Sequence, residues 1–289
     1  SMRHTSKIIL GTVQFGVKYG INNSHGMPSE QEVLQVLELA HANGIAMLDT
    51  ADAYGQAESI IAKYHTLHTN LFDVISKFKY NDESDLKSLL NAKLTTLKIT
   101  SLYSYMYHSH ADLEKYPQLK NILKAAKSDG LIKKLGVSVY NNNEFEQVIQ
   151  DTDIDLIQLP FNLLDNMNTR GRFIKEAKEK NKEIHVRSVF LQGLLFKTPP
   201  QLPDKLTPLA PHIQRLHDIS SHAGISINEL ALNYVLSNTY IDKVLIGVDS
   251  LGQLQANLSV LNKLPGPTIN SLVNNITVQD TALLNPTNW

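Results

Sequence analysis

The chain has 289 residues, 42% of them hydrophobic and 19% charged, with a formal net charge of −1 and no cysteine. A chain of this length buries a large core, its charge balance excludes disorder as the main state, and it offers no basic stripe for nucleic acid. The missing thiols exclude a disulfide scaffold, a thiolate zinc site and a cysteine nucleophile. No apolar run reaches the roughly 18 residues of a membrane span, and Ile8-Ile9-Leu10 is too short for a signal peptide. Ser1-Met2 reads as a remnant of cloning, and a cytoplasmic protein is expected.

A first strand is predicted from near Lys7. Ser29 and Glu32 form a predicted capping box ahead of Val33, Val36, Leu37 and Ala40, which share one helical face, and Gly44 stands where that helix stops. Strands follow from near Ile45 and Phe72. His65 and His68 lack the Glu and third ligand of a zinc site, so a solvated helix end is expected there. Leu86, Leu89, Leu90, Leu94 and Leu97 set a helix before a strand near Ser101. Leu119, Ile122, Leu123 and Ala126 set another before Gly130 and a strand near Lys133. Further strands begin near Ile154, Glu183 and Lys243. The long interval before Lys243 holds two helical patterns, one opened by Ser226 and Glu229, and a Pro-rich stretch from Pro199 to Pro211. It reads as a long loop and an extra helix over one mouth. Leu251, Leu254, Leu258 and Leu261 mark the last helix, and 264–289 a tail folded back over the same mouth.

Eight strands alternating with helices imply parallel βαβ units. No Gly-x-Gly-x-x-Gly follows a strand, which disfavours a doubly wound nucleotide-binding sheet. A (β/α)8 TIM barrel, one domain over residues 1–289, fits the count and the length. Its chemistry belongs at the C-terminal strand ends, where Asp49, Tyr54, Lys77, His108, Ser138, Gln158, Arg187 and Gly247 fall. A tyrosine hydroxyl titrates near 10, about three units too high for easy proton transfer at neutrality. A neighbouring ammonium stabilises the phenolate, a buried carboxylate holds that ammonium in place, and an imidazole can donate to a carbonyl oxygen. The group suits protonation of a carbonyl as hydride reaches its carbon.

Leu10-Gly11-Thr12, Asp49-Thr50-Ala51 with Tyr54-Gly55 and Glu58, Ser76-Lys77-Phe78, His108, Gly136-Val137-Ser138, Gly193-Leu194-Leu195, and Ile246-Gly247 with Leu254 and Asn257 occur in the order of the aldo-keto reductases, which the chain resembles over about residues 7–262. The resemblance implies a barrel that binds NADP(H) or NAD(H) across its mouth and reduces a small-molecule carbonyl. By position, Tyr54 is the general acid, Lys77 and Asp49 tune it, and His108 orients the carbonyl. Gly11, Thr12, Asp49, Ser138, Gln158, Arg187, Gly247, Gln253 and Asn257 fall at cofactor positions, with Ser138 and Gln158 at the carboxamide. Gln14, Phe15, Tyr54, His108 and Phe190 fall around the substrate pocket, to which Tyr19 and Trp289 could add. Val139 replaces the family's usual Asn, and Arg187 the aromatic that stacks on the nicotinamide. Gly247 and Gln253 replace cations that grip the 2′-phosphate, and Ala256 an acid near the adenine. Without those charges a phosphate loses charge-assisted bonds, so NAD(H), or NADP(H) held loosely through Lys243 or Arg187, is compatible with the sequence.

Two other readings compete. His108 and His110 alternate on a strand and with Asp49, Lys77 and His185 suggest a hydrolase metal, but His185 starts a strand and belongs to the wrong mouth. A non-catalytic descendant would keep the cofactor as a sensor and bind a protein partner. No metal, nucleic acid or membrane is expected, and a monomer or small homo-oligomer is.

Overall fold

A computed structural model describes residues 2–12, 28–51, 56–261 and 266–289. After a helical turn at Met2–Thr5, the strands are β1 (Ile8–Gly11), β2 (Met47–Ala51), β3 (Asp73–Phe78), β4 (Leu102–Tyr107), β5 in two pieces (Ile132–Lys134 and Gly136–Ser138), β6 (Leu156–Pro160), β7 (Glu183–Arg187) and β8 (Lys243–Gly247). They lie in the order β3-β2-β1-β8-β7-β6-β5-β4, all parallel, and β3 pairs with β4 to close the sheet. This is the (β/α)8 TIM barrel.

Its shell is built from α1 (Glu30–Ala42), α2 (Ala57–Leu67), α3 (Leu86–Leu97), α4 (His110–Lys115), α5 (Leu119–Ser128), α6 (Asn142–Ile149), α7 (Met167–Glu179), α8 (Ala210–Ala223), α9 (Ile227–Leu236), α10 (Leu251–Ser259) and α11 (Pro267–Asn274). Apolar residues at helical spacing make the inner stripe of each helix: Val33, Val36, Leu37 and Ala40 are all buried on α1. Gly44 and Gly130, just past α1 and α5, take φ of +92° and +77°, the left-handed turn that ends a helix without a Cβ penalty. The capping box is only half formed. Ser29 Oγ accepts the Glu32 N–H at 3.1 Å, but Glu32 Oε1 turns away to accept the Leu251 N–H at 3.3 Å, tying α1 to α10.

Strand alternation sends one set of side chains outward under the helices and the other into the barrel. Ile9, Met47, Ile75, Met106 and Leu156 fill the interior. Gly136 is bare because a Cβ would meet Met106 Cγ at 3.0 Å, Ser104 Oγ at 3.1 Å and Leu156 Cδ2 at 3.2 Å. The fifth strand breaks at Leu135, whose N–H goes to Asp155 Oδ2 at 2.9 Å instead of a neighbouring strand.

The interval after β7 contains three short 3-10 segments (Leu191–Phe196, Pro199–Gln201, Asp204–Leu209) before α8 and α9. The segment after α10 docks by its backbone: Asn166, which caps α7 at the end from which β6 emerges, donates to the carbonyls of Val273 and Ile276, both at 3.0 Å. No helix among the described residues is long and apolar enough to cross a membrane.

Candidate active site

β2, β3 and β4 are consecutive neighbours in register, Ala51 beside Lys77 and Lys77 beside Met106. The parallel arrangement therefore brings Asp49, Lys77 and, one residue beyond β4, His108 to the same mouth. Tyr54, Gln14, Phe15 and Tyr19 lie outside the described residues.

Asp49 is braced by its backbone and its side chain. Its carbonyl accepts Thr12 Oγ1–H at 2.9 Å and Thr12 N–H at 3.2 Å, and Gln158 Nε2 donates to its Oδ2 at 3.4 Å. Thr12 is fully buried, so its hydroxyl serves Asp49 rather than facing the mouth. Burial raises the Asp49 carboxyl above the usual range, against the pull of Lys77, Gln158, His185 and Arg187. Burial likewise lowers the Lys77 ammonium. Asp49 opposes that shift and Arg187 adds to it. His108 is exposed on the rim, yet partial desolvation of its ring, then Lys77 and Lys79, keep the imidazole below its ordinary value. At neutral pH it is an uncharged donor.

Opposite stand Ser138 on β5, Gln158 on β6 and Arg187 on β7. The Arg187 guanidinium carbon lies 4.4 Å from the centre of the Tyr140 ring, and Nη2 donates to Ser138 Oγ and the Val139 carbonyl, both at 3.4 Å. Behind Tyr140 is a second, fully neutralised arginine. Arg170 binds Asp165 through Nε (2.7 Å) and Nη2 (2.9 Å), Asn142 Oδ1 at 2.9 Å and the Tyr140 carbonyl at 2.6 Å. Sequence reasoning missed Tyr140, Asn162, Asp165 and Arg170. Asn162-x-x-Asp165-Asn166 directly after a strand was the available signal, since Asn and Asp bond their own loop backbone. Asn162 Oδ1 accepts the N–H groups of Leu164 and Asp165, and its Nδ2 donates to the Ser188 carbonyl at 3.0 Å. That last bond braces a loop in which Ser188, Leu191 and Gln192 all have φ between +51° and +63°, a conformation that costs non-glycine residues about 1 kcal/mol or more. Phe190 sits in this loop against Phe196, ring centres 5.3 Å apart.

On the remaining side Gly11 faces Gly247 across β1 and β8, and nothing among the described residues lies within 4 Å of where a Gly247 Cβ would be. Gly247 is exposed there, while Gly11 is buried beside Leu245. Other sequence expectations change. Val139 is fully buried in the outer core. Lys243 begins β8 at the opposite end, bonded to the Ser6 carbonyl at 2.6 Å, and cannot grip a ligand at the mouth. Gln253 Oε1 accepts the Asp249 N–H at 2.7 Å, and Asn257 Oδ1 accepts from Asn228 at 3.3 Å. Both belong to the α10 side of the rim and have internal partners. Trp289 donates to the Leu283 carbonyl at 2.8 Å within the tail.

The metal reading fails on geometry. Ser109 caps α4, so His110 is helical and buried, 3.0 Å from Glu114 and 3.8 Å from Glu144, rather than alongside His108. His185 is inside the barrel with its Nε2 on Glu183 at 2.6 Å. Nor is His65 solvated. It is buried, bonded through Nδ1 to the Leu97 carbonyl (2.9 Å) and through Nε2 to the Phe72 N–H (3.3 Å).

A model of the aldo/keto reductase family matches residues 7–272. The oxidoreductase YqkF of Bacillus subtilis (strain 168) is 23% identical over 256 residues, 81% of this chain and 83% of that protein. Among solved structures, the holo form of an aldo-keto reductase from Bacillus halodurans superposes with a TM-score of 0.74 at 18% identity, over 94% of this chain and 92% of its own. A glycerol dehydrogenase from Gluconobacter oxydans gives 0.72 at 18% identity, over 93% and 90%.

Proposed function

The chain belongs to the aldo/keto reductase family, and from that premise we propose that this oxidoreductase reversibly reduces an aldehyde or ketone to its alcohol with NAD(P)H. The observation that carries the reading is the meeting of Asp49, Lys77 and His108 at one rim, on three adjacent strands. The rest of the mouth fits a nicotinamide cofactor. The exposed Gly247 lets a flat ligand lie against backbone there, and Ser138 Oγ and the free N–H of the Gln158 amide are the groups that would hold a carboxamide. When bound, the dihydronicotinamide supplies the hydride that reaches the carbonyl carbon.

This chain's own residues do the proton chemistry. Tyr54 gives its phenolic proton to the carbonyl oxygen, and Lys77 stabilises the phenolate left behind. Asp49, anchored by Thr12 and Gln158, keeps the ammonium oriented. His108, uncharged at neutral pH, donates a hydrogen bond to the same carbonyl oxygen and fixes which face is presented. In the reverse direction Tyr54 takes the alcohol proton back. Gly247, Gln253 and Ala256 carry no cation for a 2′-phosphate, and Lys243 faces away, so NAD(H) is accepted at least as well as NADP(H). Titrating the protein with NADH and with NADPH, followed by fluorescence, tests both points. Binding of neither cofactor overturns the reading, and NADPH bound more than about tenfold tighter, a difference of roughly 1.4 kcal/mol, overturns the preference.

A further inference from the structure

The barrel interior carries a polar column below the site that the reaction does not use. At its floor the Tyr103 hydroxyl lies 2.6 and 2.8 Å from the two Glu183 oxygens. Oε2 of that carboxylate also takes His185 Nε2 at 2.6 Å. Burial pushes the Glu183 carboxyl up, but the hydrogen bonds from His185 and Tyr103 together with nearby positive charge leave it below the usual carboxylate range. His185 is fully buried and stands beside Gln158 in the β6–β7 register. Gln158, buried as completely, directs Nε2 to Asp49 Oδ2 at 3.4 Å. The chain is interrupted between these two register neighbours. His185 Nδ1 and Gln158 Oε1 are both buried without a hydrogen-bond partner among the described residues.

Their chemistry says what belongs between them. With Nε2–H directed to Glu183, the Nδ1 of a neutral ring is an acceptor, and with one N–H of its NH2 turned to Asp49 and the other left for the mouth, Gln158 offers its carbonyl oxygen as the acceptor beside His185. Two acceptors cannot satisfy each other, whereas one water has two O–H donors and buried waters commonly fill this role. The geometry points to an internal water site between His185 Nδ1 and Gln158 Oε1. It completes a chain from Tyr103 through Glu183 and His185 to Gln158, and so positions Asp49 from below. Turned over, the Gln158 amide would set its carbonyl against the Asp49 carboxylate, and a water that donates to Oε1 favours the orientation observed. His185 is a positioning residue. Asp73 and Asp242 lie near the foot of the column beside Tyr103, with Lys134 near Glu183, while Lys77 and Arg187 face Asp49 at its head.

The effect on catalysis rests on the carbonyl reductase reading, and the water site does not. In a high-resolution crystal structure, an ordered water should lie within hydrogen-bond distance of both atoms. Direct contact of Nδ1 with Oε1 below about 3.2 Å, with no water, overturns the site. In His185→Leu the Gln158 amide should lose its anchor and the Asp49 carboxyl should become harder to ionise. Turnover should fall about tenfold, and the acid limb of kcat/KM should move to higher pH. His185→Gln, which restores an acceptor, should return the limb towards wild type. A leucine variant that loses thermal stability but keeps the wild-type acid limb overturns the positioning role. A wild-type protein without any carbonyl turnover overturns the functional reading instead, and the crystal structure then decides the water site alone.

Discussion

Arg187 places a second cation at a mouth where Asp49 is the acid acting on both it and Lys77. Asp165, the nearby buried carboxylate, is already committed bidentately to Arg170. After burial, and against the pull of Asp49, Arg187 repels the Lys77 ammonium and helps keep it below its ordinary value. Removing that charge has a definite sign. In Arg187→Leu, Lys77 and any phenol it activates should hold their protons to higher pH, and the alkaline limb of kcat/KM should shift upward. A limb that stays put or moves down would show that Arg187 does not act on Lys77. A different result is expected of Lys77→Met. Loss of a group that tunes the acid should lower turnover by about 10² or more while cofactor affinity changes little, measured on the same preparation.

At the scale of elements, the β6–α7 loop supports the β5 and β7 ends. Asp165 and Arg170 are both 95% removed from solvent at their side chains, and Arg170 holds the Tyr140 carbonyl while Arg187 stacks on the Tyr140 ring. Breaking one partner of such a buried pair typically costs about 3 kcal/mol or more, because the other charge stays buried. Asp165→Asn should therefore lower the melting midpoint by on the order of 10 °C and weaken cofactor binding through Tyr140. An unchanged midpoint would mean that the loop carries no such load. This network was hidden in the sequence because Tyr140 and Arg170 lie 30 residues apart and meet only once β5 and β6 are paired. The break at Leu135 was hidden for the same reason, since it needs the Asp155 side chain from another loop. By contrast, the strands and α1, α3, α5, α9 and α10 were legible, their apolar spacing being a local property that the barrel merely assembles, whereas α11 falls in what reads as a tail. His65 shows where local pattern misleads. A histidine pair near a helix end reads as solvated until Phe72 and the Leu97 carbonyl close over it.

For the whole molecule, the same corner sets an acid limit. His41 stacks on Phe72 with ring centres 4.2 Å apart and its Nδ1 is 2.9 Å from the Tyr64 hydroxyl. Burial first, then His68 and His65, lower its pKa, and burial also lowers that of His65 despite the Leu97 carbonyl. A histidine whose folded pKa lies below the unfolded value of about 6.5 leaves the unfolded chain binding more protons as pH falls. The stabilisation is thus present above about 6.5 and is lost as pH drops through the folded values. The urea midpoint should fall between neutral and mildly acidic pH, and His41→Gln should flatten that slope. An equally steep slope in the variant would place the acid sensitivity elsewhere. The barrel and the order of strand-end residues were readable at this scale because parallel βαβ topology converts chain order into position around a ring. The interior column from Tyr103 to Asp49 was not, because His185 reads from its strand position as a residue of the far end, while its link to Gln158 depends on register.

Protonation of a carbonyl by the residue 54 phenol, tuned by Lys77 and Asp49, as hydride arrives is the step on which the proposed function turns. It is tested most directly by loading wild type and Tyr54→Phe with reduced nicotinamide cofactor and following its absorbance on mixing with an aldehyde. The wild type should consume the cofactor. The phenylalanine variant should bind it with similar affinity and consume it at least about 10²-fold more slowly. Equal rates in the two proteins, or no consumption in either despite tight cofactor binding across a broad set of carbonyl compounds, would contradict the account.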